Sequence, residues 1–427
     1  MEPREGYAII PRMTRQRFFG LLLLSGILAG CAEDTGWNGS LEALLDADPE
    51  AFGTISADPA AYRVQILYTQ IDRDADNNPS FRSYSYRLDA DEYFYPASTV
   101  KLPTAALALA RLNELDRPGL DRDTVMLTGR AADFQSEANL DDDSPSGLPS
   151  VGNYIRKILV VSDNDAYNRL YEFLGQQAIN EALESMGYEG ARVVHRLEVA
   201  LTPEQNAWTN PVRFVNAGST VYQQADQVSE RSFLGPEPEL LGVGEIINGE
   251  LVSRPKDFAE KNAFPLQHLH DVVQSILFPN AVSPERRFNL GEDDYRFLWR
   301  YMSAYPGESG VNEYADGSFD PDGYVKFLMY GGSESEIPDN IRIFNKVGDA
   351  YGFLTDAAYV VDFDSGIEFL LAATVYTNAN QVFNDNQYEY DEIGLPFLRD
   401  LGQAIYQLEL ERPREFRPNL DHLRSLR

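Results

Sequence analysis

Apolar residues recur at Leu102, Ala105, Ala106, Leu109 and Leu112, the spacing of a helix with one buried face. Pro96 stands just ahead and can open such a helix, because its missing N–H would have no partner there. The spacing therefore puts Ser98 in the first turn, where free backbone N–H groups and the helix dipole favour negative charge on a nearby oxygen. Lys101, three residues on, lies on the same face as the Ser98 hydroxyl. Held against apolar neighbours, its amine can lose a proton and act as a base toward that hydroxyl. A core helix with a capping serine and a snorkelling lysine fits the same stretch.

The pattern predicts a helix over 41–52, then a strand over 62–71, where Val64, Ile66 and Tyr68 alternate with Arg63, Gln65 and Thr69. A polar turn follows over 72–79, with a return strand over 81–88. Asp72, Asp74 and Asp76 mimic the start of a calcium loop, but the glycine and closing glutamate are missing, so a hairpin turn is expected. An acidic loop over 133–147 leads to a helix over 151–160, broken by Ser162-Asp163-Asn164 and resumed to Leu174, with Gly175 as the stop. A further helix covers 176–186. Residues 210–340 have no repeat and read as a large, partly helical insertion, with a helix at 293–303. Strands over 341–346, entering a tight turn at Gly348, and over 353–363 and 367–377 then precede a closing helix over 395–408. These elements predict an α+β fold: one antiparallel sheet flanked by terminal helices, with an all-helical lobe between.

The 427 residues, 43% of them hydrophobic, suffice for a large core. A net charge of -31, from 67 acidic and 36 basic residues, argues against nucleic acid and anionic membrane surfaces as partners. Arg12, Arg15 and Arg17 precede an apolar run from Phe18 to Leu28 that is too short for a permanent span, and Leu28-Ala29-Gly30-Cys31 closes it. The run resembles a bacterial lipoprotein signal, in which Cys31, the sole cysteine, becomes the lipidated first residue. No internal disulfide is then possible. Ala32 and Glu33 after that cysteine imply the periplasmic face of the outer membrane. The expected layout is a signal and lipidation site over 1–31, a tether over 32–40, a domain over 41–410 holding the insertion, and a tail over 411–427.

Three segments resemble, in content and in order, the class A β-lactamase and penicillin-recognising serine hydrolase family. Ser98-Thr99-Val100-Lys101 matches its Ser-x-x-Lys, Ser162-Asp163-Asn164 its Ser-Asp-Asn, and Lys346-Val347-Gly348 stands where Lys-Thr/Ser-Gly would. The resemblance implies that Ser98 attacks a carbonyl, with the backbone N–H groups of Ser98 and Asp349 holding the oxyanion. Ser162 would relay a proton to the leaving nitrogen, Lys101 and Asn164 would order the network, and Lys346 would supply positive charge. The resemblance offers Glu198 as the deacylation base, with Thr202 where the family has asparagine. Val347 departs from the family by lacking a hydroxyl. A small β-lactam or a peptidoglycan peptide is the implied substrate, with an ester or mere binding of envelope components as alternatives. No cofactor is expected. Nor is a metal, since His195 reads as a loop residue and His268 and His270 as a pair without partners. A monomer is expected.

Overall fold

The computed structural model describes residues 39–309, 311, 314 and 322–426, so the signal run, Cys31 and most of the tether lie outside them. α1 (Leu41–Ala47) and α2 (Pro49–Ala57) occupy the stretch expected as a single helix. Asp48 divides them: its carboxylate caps α2 at Ala51 N, and Pro49 is suited only to a helix's first turn. β1 (Gln65–Arg73) and β2 (Pro79–Tyr86) form the early hairpin. Asp74 closes its turn by accepting from Asp76 N, Asn78 N and Asn78 Nδ2. A 3₁₀ turn (Ala97–Val100) runs into α3 (Lys101–Leu115). β3 (Val125–Thr128), α4 (Val151–Val161), α5 (Asn164–Leu174), α6 (Gln176–Ser185) and one-turn α7 (Pro203–Ala207) follow.

The lobe is not purely helical, which corrects the expectation. Short strands fill the next fifty residues: β4 (Trp208–Thr209), β5 (Val212–Asn216), β6 (Ser219–Gln224), β7 (Gln227–Val228), β8 (Leu240–Leu241), β9 (Gly244–Ile247), β10 (Glu250–Val252) and β11 (Lys256–Asp257). Two tight turns supply the reason. Ala217-Gly218 joins β5 to β6 and Asn248-Gly249 joins β9 to β10, and all four residues have positive φ, the backbone whose twist matches paired strands. Helices return with α8 (Leu266–Leu277), α9 (Glu292–Ser303) and the short α10 (Phe327–Tyr330), within which Leu328 and Met329 leave the helical region.

β12 (Ile341–Ala350), β13 (Phe353–Asp362) and β14 (Ile367–Tyr376) then join the early hairpin in one antiparallel sheet of order β12-β13-β14-β1-β2. Gly348 is not a turn: β12 runs through it, and the reversal falls at Tyr351-Gly352, again with both φ positive. β15 (Val382–Phe383), α11 (Leu395–Glu411) and α12 (Asp421–Arg424) complete the chain. The sheet face bearing Phe344, Tyr359 and Leu370 packs on the helical lobe, whereas the face bearing Ile343, Val360 and Leu371 packs on α1, α2 and α11. The expected tail is tied down, with Leu420 and Leu423 buried and Arg412 bonded to Asp72 and Ile71 O. Among the described residues, no helix is long and apolar enough to cross a membrane.

Candidate active site

Ser98 sits on a bent and crowded turn. Ala97 before it has φ +46°, a left-handed backbone that costs a residue with a side chain of the order of 1 kcal/mol. Thr99 closes the turn, its N–H and hydroxyl donating to Pro96 O at 3.0 and 2.6 Å. Edge strand β12 presses against this turn through Gly348. A Cβ there would lie 2.6 Å from Pro96 O, 2.8 Å from Ser98 N and 2.9 Å from Thr99 N. Only glycine lets the strand come so close, so Gly348 sets the position of Ser98 relative to β12.

Ser162 and Asn164 come from the break between α4 and α5. Ser162 ends α4 with φ +61°, where glycine is the usual residue, and Asp163 caps α5 by accepting from Ala166 N at 2.7 Å. The middle residue of this motif is thus structural, and it turns its two neighbours toward Lys101. Lys101 is fully buried at the start of α3; its Nζ donates to Ser162 O, to Ser162 Oγ at 3.3 Å and to Asn164 Oδ1 at 2.6 Å. From β12, Lys346 Nζ reaches the same Ser162 Oγ at 2.8 Å, and Val347 O at 2.9 Å. Two amines therefore converge on one hydroxyl. When both donate, its acceptor positions are filled and its own proton is left to point elsewhere.

Burial, then the neighbouring Lys346 charge, holds the Lys101 amine well below the usual lysine range, against the pull of Asp163, Asp349 and Glu198. Burial likewise brings Lys346 down to about 7, opposed by Asp349 and Asp356. Asp349 moves the other way: desolvation raises its carboxyl despite both lysines, and Glu198 adds to the rise.

The structure brings Ser98, Lys101, Ser162, Asn164, Lys346 and Gly348 together, and Asp349 lines an adjoining cavity. Glu198 acts on this group through its charge and not through a hydrogen bond. It is exposed, has φ +56°, and makes no hydrogen bond to the described residues, though its charge acts on Lys101 and Asp349. Thr202, aligned with the family's asparagine, caps α7 by accepting from Gln205 N. His195 packs against the ring of Tyr95, with centroids 6.1 Å apart and planes 1° from parallel, and burial lowers it to about 4, so it stays neutral beneath the turn. His270 Nε2 bonds to Thr69 Oγ1 at 2.9 Å, and both His268 and His270 lie beside Asp271.

The motifs do not reveal a second polar cluster on the reverse face of β12. Lys326 Nζ donates to Met302 O and Asn345 Oδ1, both at 2.7 Å. Asn345 Nδ2 in turn donates to Val325 O at 3.0 Å and Asp356 Oδ1 at 2.8 Å, and Leu328 N donates to Asp356 Oδ2 at 3.0 Å. All three side chains are buried. Lys326 is the one basic residue between 310 and 340, and that isolation was the available signal. A cavity of about 430 Å³ opens beside Ser162, Val347 and Asp349, walled by Tyr324, Tyr388 and Tyr390.

Residues 55–233 match the model of the beta-lactamase enzyme family. No curated protein matches the chain. Similar solved structures include PBP-A (16% identity, 86% of this chain and 96% of that one, TM-score 0.47). A beta lactamase from Xanthomonas campestris pv. campestris aligns at 15% identity over 86% and 98% with TM-score 0.47. A beta-lactamase from Burkholderia phymatum aligns at 16% over 87% and 100%, also at 0.47.

Proposed function

We propose that the protein opens the amide of a β-lactam through an acyl-Ser98 intermediate. The observation that carries this reading is the convergence of the Lys101 and Lys346 amines on Ser162 Oγ, next to a serine turn fixed by Gly348. Burial favours the neutral form of the Lys101 amine, and in that form it takes the Ser98 proton as Ser98 Oγ adds to the carbonyl. The N–H groups of Ser98 and Asp349 hold the oxyanion. Ser162 passes its proton to the ring nitrogen as the C–N bond breaks and refills from an adjacent ammonium, leaving an ester on Ser98. Water activated by Glu198 then cleaves the ester and returns the serine. Lys346 supplies positive charge at the Ser98–Lys101 site inside a chain of net charge -31.

Turnover of a chromogenic cephalosporin by the wild type and by Ser98→Ala tests this; equal rates reject the mechanism. A second reading, a peptidase-like enzyme with a long-lived acyl-serine, is favoured by Glu198 having no hydrogen bond to Lys101. It predicts a stoichiometric burst with little turnover. We also place the mature chain on the periplasmic face of the outer membrane, held by lipid on Cys31; a Cys31→Ala chain that still fractionates with membranes would reject this.

A further inference from the structure

We infer that the cavity beside Ser162 and Asp349 is the subsite for the leaving-nitrogen side of the substrate and takes a flat group bearing positive charge. The inference rests on the Ser98 reading, because Ser162 is the residue that would serve the leaving nitrogen. Groups attached to that nitrogen would enter the adjoining space of about 430 Å³.

The walls are aromatic and fixed. Tyr388 and Tyr390 lie with ring centroids 5.3 Å apart, and their hydroxyls accept from Asn384 N and Gly352 N, each at 2.8 Å. The backbone thus holds both rings in place, with Tyr324 and Phe327 also lining the space. Faces of this kind attract cations.

The charges agree. Asp349, Glu334 and Asp391 line the cavity, and no lysine, arginine or histidine does so among the described residues. The Asp349 carboxylate is exposed on the cavity and makes no hydrogen bond or ion pair with the described residues, so a cationic ligand would give it a partner. The nearest cation faces elsewhere: Lys346 is 3% exposed and its amine is bonded to Ser162 Oγ and Val347 O. Val347 offers no hydroxyl to an anion. An added carboxylate here would meet three acids and an apolar wall.

Two cephalosporins sharing nucleus and acylamino side chain, one with a 3-pyridiniummethyl and one with a 3-acetoxymethyl group, test this in the full chain. Acylation kcat/KM should favour the pyridinium compound by about tenfold at low ionic strength, and less as salt rises. The ratio should fall toward one in the Glu334→Gln/Asp391→Asn variant. A ratio of one or below in the wild type, or one that the variant leaves unchanged, overturns the inference. Calorimetry with N-benzylpyridinium and with benzoate on the Ser98→Ala protein separates this from failure of the Ser98 chemistry. Binding of the cation alone, weakened in the double variant, supports the subsite even if no β-lactam reacts; no binding, or preference for benzoate, overturns it.

Discussion

Two buried lysines lie on opposite sides of β12, and they differ in what their amines touch. Burial brings Lys346 and Lys326 alike down to about 7. On the front face, Lys346 ends on the hydroxyl of Ser162, which also receives Lys101 and keeps a proton to give. On the back face, Lys326 ends on a backbone carbonyl and the Asn345 amide, acceptors with no proton to pass on. The titration of the two amines is similar; their partners differ. Front-face chemistry should therefore fail without unfolding, and back-face changes should unfold without first removing chemistry.

Replacement of Lys101 by methionine should sharpen that contrast most, lowering the rate of Ser98 acylation by about 10³-fold or more in stopped-flow assays. Gly348→Ala comes next. Its methyl must displace Pro96 O or the Ser98 backbone, and a misplacement near 1 Å should cost about 10²-fold in acylation. On the back face, Asp356→Ala leaves Asn345 Nδ2 and Leu328 N without their acceptor and Lys326 without its counter-charge. Urea unfolding should show a loss of about 2–4 kcal/mol, while acylation by the folded fraction falls far less than in Lys101→Met.

The smallest effect is on pH dependence. Both lysines deprotonate near 7 in the fold but near 10.5 when unfolded, so between those values the unfolded chain holds more protons. Their contribution therefore disfavours the fold below pH 7 and is relieved as pH rises toward 10. Unfolding measured at pH 7 and pH 9 should show a shallower rise in stability for Lys326→Met than for the wild type. An unchanged slope would mean that Lys326 does not titrate in this range.

The sheet and the three motif segments were legible because each has a strong local pattern: alternation in β1, continuous apolar runs in β13 and β14, and helical spacing either side of Ser162. The strands of residues 208–257 were not, since most span two to six half-exposed residues and carry little periodicity; Asn248-Gly249 was their one clear sign. Gly348 suggested a turn because glycine usually marks one, whereas here it answers to a backbone approaching from far along the chain. The Lys326, Asn345 and Asp356 cluster depends on three distant segments meeting, which no local pattern encodes.

Intact-mass spectrometry with peptide mapping after brief exposure to benzylpenicillin tests the central claim most directly. An adduct of one penicillin on the peptide carrying Ser98, transient or lasting, and absent in Ser98→Ala, is the expected result. No adduct together with no hydrolysis, or an equal adduct in Ser98→Ala, would contradict it.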